Sequence, residues 1–441
     1  LFQVLMAGKK IYTKEIIIAF IAISFPMLYA FVKKDNKPNL TGIVISDKKP
    51  EFNKENWLSG VYQIEMDDYN NDHWSLKETS VRLNNQFYYK AFNQIRVNGF
   101  VIGKDDYVYS ESYIFSAFGD DFIGEKKIKT QMQKAKVVQD SLKRHGVDLL
   151  LVFAPGKGEY CIEQVEDKYK HPIKNTNHAE FVKQCKSNGV NHLDLYTYFN
   201  LLKPNTKYPL FPKFGHHWSY YGEVLAVDTI IRHIEVLHNT QMPEIFWEKT
   251  DVVDTARSRD ADVLKSMNLY SNPDQNMQLA YPELLFENDS LKNRTRVLTI
   301  SDSYWYGPVY MGVPTQCFAG GQFWYYFNKV IPSPIPGEKV EVWELNLKEE
   351  IEKKNNVVML LYSDGNLGAF GNTFIQDAYE MYTSPSTYWE RVEKNKTIQT
   401  YAKQIRNQPG LLKKATQKSS ELQIPLDSAI KLDAMKMAGM K

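Results

Sequence analysis

Residues 147–161 read VDLLLVFAPGKGEYC. From Val147 to Ala154 the run is apolar apart from Asp148, and polar and apolar positions do not alternate. A strand buried on both faces has this character, and such strands belong to parallel sheets covered by helices. Pro155 and Gly156 end the run. Upstream, residues 123–145 show helical spacing with many Lys and Gln, and Gly146 stops that helix. Downstream, residues 177–188 read as a second helix closed by Gly189, and VNHLDLY (190–196) as the next strand. Residues 219–239 form a third helix. RVLTISDSYW (296–305) and NNVVMLLYSDG (355–365) are further strands that run into turns. Strand and helix in alternation predict an α/β fold with a parallel sheet and helices on both faces.

Other segments frame this core. FVIGKDDYVY (100–109) reads as a turn between two short aromatic strands. Residues 35–75 are polar throughout and read as a linker and irregular entry segment. Residues 388–441 are rich in helix formers and make a helical tail ending in AIKLDAMKMAGMK. The expected division is 1–34, 35–96, 97–387 and 388–441.

Charge and cysteine content exclude several functions. The 441 residues carry 54 basic and 52 acidic side chains, a net charge of +2, and no long basic tract lies beyond the N-terminal region. That balance removes the electrostatic case for nucleic acid. Cys161, Cys185 and Cys317 are far apart in sequence and form no CxxC pair, so they do not suggest a metal site. Cys161 and Cys185 could pair, but buried thiols are the simpler reading. No cofactor motif is visible. Tyrosine is abundant, with 28 in the chain. A tyrosine-rich surface suits sugars, although tyrosine-rich cores are commoner.

Residues 16–32 read IIIAFIAISFPMLYAFV, with no charge. A spanning helix needs about 20 apolar residues, with about 17 at the lower limit. Lysines flank the run on both sides (Lys9, Lys10 and Lys14; Lys33, Lys34 and Lys37). No small-x-small cleavage site follows, which favours an uncleaved anchor over a signal peptide. Pro26 would kink the helix but is tolerated in membranes. Met6 is a candidate native start. The expected topology keeps the short basic N-terminus inside and the large domain outside the cytoplasm.

Two segments carry candidate chemistry. One is FPKFGHHWSYYGEVLA (211–226), the other VLTISDSYW (297–305). In open α/β sheets, ligands bind beyond the carboxyl ends of strands. Ser303 sits there, in a turn whose backbone N–H groups could receive an oxyanion. A serine needs a base within hydrogen-bond reach, and His217 precedes a helix where such a base could stand. Trp218 could wall the site. Read alone, most serines in such turns are helix N-caps, and paired histidines such as His216 and His217 are usually structural. Adjacent histidines rarely chelate one metal ion.

Taken together, the order GKDDYVY, GVDLLLVFAPGKGEYC, GVNHLDLY, FGHHWSYYGEVLA and RVLTISDSYW resembles a known family. It is that of the SGNH-hydrolase-like O-acetyltransferases of bacterial exopolysaccharide export, which includes AlgX, AlgJ and the DHHW proteins. The resemblance spans about residues 97–380. It implies an SGNH-like sheet and a serine acyl-enzyme. Ser303 stands where the family's G-[DT]-S motif has its nucleophile, and His217 where D-x-H-W has its base. Trp218 matches the motif's tryptophan, and Pro155 and Lys157 match a Pro-x-Lys segment. Tyr325 or Tyr326, in FWYYF (323–327), falls where the family places a tyrosine near the acyl site, and His216 joins them as a substrate-side candidate.

The triad acid should stand at position 215, which here is Gly215. The acid normally orients the imidazole and stabilises its charged form. Asp302 adjoins the nucleophile, but neighbours along a strand point apart. Asp260 and Asp262, in SRDADVLKSM (258–267), are better substitutes, or else ordinary helix N-terminal charges. The resemblance therefore implies one of three things: a dyad enzyme, an enzyme with a relocated acid, or a non-catalytic scaffold or membrane-complex subunit using only the fold. It further implies a glycan acceptor, a membrane-bound O-acyltransferase (MBOAT) partner, and a place on the outer side of a bacterial inner membrane.

Overall fold

The computed structural model describes residues 13–21, 24–25, 40–42, 48–73, 76–287 and 292–440. The described residues divide into two compact units. The smaller draws on Leu1–Glu111, Lys213–His216 and Ala256–Asn276, and the larger on Ser112–Pro212, His217–Thr255 and Met277–Lys441.

In the smaller unit, strands β1 (Phe100–Ile102) and β2 (Val108–Ser110) form an antiparallel hairpin, as the aromatic pattern predicts. The polar segment before it is not irregular. It is helical over Lys54–Ser59, Val61–His73 and Lys77–Phe92. Asn53 caps the first helix by accepting from the Asn56 N–H, and Gly60 closes it in the left-handed region. Val61–His73 buries no side chain, so its helicity left no apolar stripe in the sequence. Tyr89, Ile102, Val108, Phe214, Leu264 and Met267 are buried together as the core of this unit.

The larger unit holds the parallel sheet. Its strands are β3 (Asp148–Ala154), β4 (His192–Asp194), β7 (Val297–Ser301), β8 (Phe323–Tyr325), β9 (Lys329–Ile331) and β10 (Val357–Ser363). The order is β4-β3-β10-β7-β8-β9, parallel except for the antiparallel edge strand β9. Every residue of β3, β7 and β10 is buried, which is why these strands read as mainly apolar runs without alternation. A separate ribbon pairs β5 (Ile245–Val253) with β6 (Leu279–Phe286).

Helices cover the sheet. In Glu125–Lys143, the residues Ile128, Met132, Ala135, Val138 and Leu142 are fully buried, an i, i+4, i+7 stripe. Thr176 caps Asn177–Asn188 at one end, and Gly189, at φ 64°, closes it at the other. The third expected helix spans Tyr220–His238. The C-terminal segment forms the helices Pro385–Asn407, Pro409–Leu422 and Leu426–Met437, with Ile398, Ile405, Ala415, Ile430 and Ala434 buried among them. Cys161, Cys185 and Cys317 are all buried free thiols, and burial pushes each up to about 12.

Residues 13–21 are helical and exposed. Residues 22–23 and 26–32 of the expected anchor lie outside the described residues. Among the described residues no helix is long and apolar enough to cross a membrane.

Strand β4 is shorter than its sequence suggests, because Asp194 turns the chain into helix Leu195–Leu202. Its carboxylate accepts from the N–H groups of Tyr196 and Thr197. It also pairs with His178 Nε2 at 2.9 Å, and the His178 ring stacks on Tyr196 at 3.6 Å. Burial alone would raise this carboxyl, but the His178 and Thr197 bonds outweigh that and hold it at about 2. A depressed folded pKa gives stability that is present above the ordinary carboxylate value and is lost as pH falls through the folded one. Asp194→Asn keeps a capping side chain and removes the charge. At neutral pH it should cost roughly 2 kcal/mol. The parent's thermal advantage should narrow as pH falls from about 4 to about 2. A gap independent of pH would show that Asp194 acts as a cap alone.

Candidate active site

The carboxyl ends of β3, β10 and β7 are brought level by register. Ser363 pairs with Ala154, and Leu361 pairs with Ser301. The chain leaves β3 toward β4 on one side and β7 toward β8 on the other, with β10 between. Such a reversal opens a crevice at the carboxyl edge of an α/β sheet.

Strand β7 ends at Ser301, and the next residue fixes the turn. Asp302 is buried and caps the 3-10 turn Ser303–Trp305. One carboxylate oxygen accepts from the Tyr304 N–H at 2.9 Å. The other accepts from the Ser363 N–H at 2.9 Å, from the Ser363 hydroxyl at 2.7 Å and from the Asn366 amide at 2.9 Å. The N-cap is thus Asp302, not Ser303, and its carboxylate is committed to the turn beyond β10. It is not the acid of a triad. The Tyr304 N–H donates to the Asp302 side chain at 2.9 Å, and the Trp305 N–H lies 3.5 Å from the Asp302 carbonyl.

Ser303 Oγ lies 2.8 Å from His217 Nε2. With Nε2 accepting from the hydroxyl, Nδ1 carries the ring proton. His217 comes from the turn before helix Tyr220–His238, which is anchored by Ser219. The Ser219 N–H donates to the Leu210 carbonyl at 2.8 Å and its hydroxyl to the Pro209 carbonyl at 2.6 Å, while its Oγ caps the Gly222 N–H. Behind the imidazole sits Tyr304, with ring centroids 5.1 Å apart, and Trp218 packs edge-on against Tyr304 at 4.7 Å. The Tyr304 hydroxyl reaches the Pro155 carbonyl at 3.3 Å, linking this wall to the end of β3.

Two of the expected substrate-side residues are closed to substrate. Lys157 is fully buried and Trp218 is 2% exposed. Trp218 shapes the wall behind His217 and makes no surface. Tyr325 and Tyr326 are half-buried at the end of β8. Tyr325 pairs with Ser301, and the Tyr326 N–H donates to the Ser301 carbonyl at 2.8 Å. The β8–β9 turn closes with the Asn328 N–H on the Tyr325 carbonyl, and its central residues, Tyr326 and Phe327, have φ of 50° and 53°. Side chains rarely accept that backbone in succession, and such strain concentrates at functional sites.

The remaining candidates belong to the smaller unit. Asp262 accepts from the His216 N–H at 2.9 Å and from the Val263 N–H at 2.7 Å. The Leu264 N–H donates to the Phe214 carbonyl at 3.2 Å. Segment 258–267 thus holds the backbone at Phe214 and His216. Asp260 is buried. The His216 ring packs edge-on against Phe100 at 5.4 Å, within that unit's own structure.

Residues 100–280 match the family model described as the SGNH hydrolase-like domain of the acetyltransferase AlgX. Over this span, less than half of the chain, the sequence is similar to that AlgX domain. The AlgX-like region contains His217 and ends before Ser303. No curated protein matches the chain in sequence. Among solved structures, the O-acetyltransferase domain of Pseudomonas putida AlgJ is 14% identical, with 64% of this chain and 99% of that one covered and a TM-score of 0.42. Pseudomonas aeruginosa AlgX is 11% identical (63% and 65% covered, TM-score 0.39). Bacillus cereus PatB1 is 15% identical (60% and 96% covered, TM-score 0.38). At these scores no residue role passes from them to this chain.

The sequence offered no signal for a second buried carboxyl beyond β10. Beyond β10, Asp364 is buried, and burial pushes its carboxyl well above the usual range, with Glu159, Asp121 and Asp302 adding to the effect. Gly156 exists to leave it room, since a Cβ there would lie 1.8 Å from Asp364 Oδ1. A carboxyl whose folded pKa is raised gives stability that is present below its unfolded pKa and lost as pH rises toward the folded one. Asp364→Asn removes that dependence. Its melting temperature should gain on the parent's as pH rises from about 4 to about 8. Gly156→Ala should instead destabilise at every pH, by about 1–3 kcal/mol of overpacking. Parallel melting curves for parent and Asp364→Asn across that range would refute a protonated Asp364.

Proposed function

We propose that this chain is an O-acetyltransferase working through a serine acyl-enzyme, and that its acceptor is a glycan hydroxyl. The observation that carries this reading is the 2.8 Å contact between Ser303 Oγ and His217 Nε2 at the carboxyl edge of the sheet. As Oγ attacks the acetyl carbonyl of the donor, its proton passes to Nε2. The donor's carbon–oxygen bond breaks, and the leaving oxygen takes that proton. In the second half, an acceptor hydroxyl attacks the acetyl-Ser303 carbonyl and gives its proton to Nε2. The bond to Oγ then breaks and the serine is reprotonated. Water in place of the acceptor gives hydrolysis.

Gly215 leaves the sequence position of the usual acid empty. We assign Asp262 a positioning role: it grips the backbone N–H of His216, and the next residue is the base. The uncharged run of residues 16–32 would anchor the domain outside the cytoplasm on a bacterial inner membrane. An MBOAT-type protein there would deliver the acetyl group across the bilayer. The bare Gly215 also supports a second reading, a glycan-binding scaffold without turnover.

Hydrolysis of p-nitrophenyl acetate separates these readings. Ser303→Ala and His217→Ala should each lower the rate by roughly 10³-fold or more. A fluorophosphonate should label the parent and not Ser303→Ala. A parent that neither hydrolyses the ester nor takes the label would be the scaffold. Asp262→Asn retains an acceptor oxygen and should keep most of the activity. Asp262→Ala should lose about 10- to 100-fold in kcat, as expected for one bond to a charged group. Equal losses in both variants, with unchanged melting temperatures, would show that the Asp262 charge itself is required.

A further inference from the structure

From Ser303 to Phe327 the sequence contains no Asp, Glu, Lys or Arg, yet it holds Tyr304, Trp305, Tyr306, Tyr310, Phe318, Phe323, Trp324, Tyr325 and Tyr326. Trp305, Phe323 and Trp324 are core residues, each no more than 1% exposed. Others make a continuous row that starts at the end of β8, the strand paired with the nucleophile's strand. Tyr326 and Tyr325 lie at the end of β8, with ring centroids 4.6 Å apart. Tyr325 meets Tyr306 at 5.1 Å. Tyr306 is seated on buried Phe323 at 5.2 Å, edge-on, and stacks with Tyr310 at 6.2 Å and 21°. Exposure rises along the row, from half-buried Tyr326 to Tyr310 at 76%. Neither Tyr306 nor Tyr310 has a hydroxyl partner among the described residues.

Resting on the acyl-transfer reading above, we infer that Tyr306 and Tyr310, with Tyr325, form an acceptor track for an uncharged saccharide chain. A core role does not account for Tyr310, since its ring lies in water. An anionic ligand would find no cation on this segment. A ring with an apolar face and a polar tip suits a pyranose, which offers C–H faces to stack and hydroxyls to bond. The rings follow one another at about the spacing of successive sugars. The row begins at the strand end that pairs with the nucleophile's strand, so a chain lying along it brings one of its hydroxyls toward Ser303. The most exposed ring is the farthest from the chemistry and should act through chain length.

The test is acetyl transfer from p-nitrophenyl acetate to cello-oligosaccharides, from the monosaccharide to the hexasaccharide, with the transfer-to-hydrolysis ratio as readout. For the parent, the ratio should rise with chain length. Tyr310→Ala should lower it about tenfold for the hexasaccharide through KM and leave the monosaccharide ratio in place. Tyr306→Ala should lower both, and Tyr310→Phe should restore most of the length dependence. Three results overturn the track: a parent ratio that ignores chain length, a Tyr310→Ala profile that follows the parent's, or ester hydrolysis with no transfer to any of these saccharides. Absence of hydrolysis together with absence of fluorophosphonate labelling has a different meaning. It removes the acyl-enzyme reading, and the track falls with it.

Discussion

The buried carboxylate of Asp302 joins the turn that carries the nucleophile to the turn that follows β10. A charge in that position is costly unless its lone pairs are filled. Here four donors fill them: two backbone N–H groups, a hydroxyl and an amide. Two of these donors come from Ser363, some sixty residues downstream. The bond set exists only if β7 and β10 are neighbours in parallel register, with Leu361 opposite Ser301. The sheet register and the geometry at Ser303 are therefore one constraint. A slip of one residue would carry the Ser363 donors away from Asp302 and strand the carboxylate. Asp302 thus does for the backbone what a triad acid does for an imidazole: it holds the group next to the chemistry in place.

Legibility in the sequence followed how local each feature is. Ser303 and His217 were singled out by the motifs of the family they resemble, each beside a strongly patterned element, and the structure brings them to 2.8 Å. The strands β3, β7 and β10 were visible because burial on both faces leaves few polar positions. Asp302 was readable as a poor triad acid, but its partners were not, since Ser363 and Asn366 meet it only after the sheet is assembled. The turn between β8 and β9 was hidden for another reason. Tyr326 and Phe327 occupy backbone positions that glycine or asparagine usually marks, so the usual turn signal is absent. Helix Val61–His73 was missed because a helix with no buried face has no apolar period to read.

Burial also corrects what a motif implies. Lys157 follows the end of β3, at a place where a positive charge could meet a substrate, yet its side chain is fully enclosed. Trp218 follows the base and carries the motif's identity, yet it supports Tyr304 from behind. In both cases the residue type matches and the exposure does not. Residues of this kind shape a site by packing, and their substitution disturbs position before it disturbs binding. Asp262 is a third variant. It is not in the motif, but it accepts from the N–H of His216.

The last consideration is how an acyl-enzyme would favour a hydroxyl over water. Water is always present, so selectivity must come from holding the acceptor, and the chemical step uses the same base in either case. An acceptor held by charge would need cations close to His217, and these would oppose protonation of the imidazole during the reaction. The segment from Ser303 to Phe327 has no charge at all. Aromatic rings can hold a sugar while adding no field to the base. On the proposed reading, the acceptor is held by the rings of this uncharged segment, and the base is left to the chemical step alone.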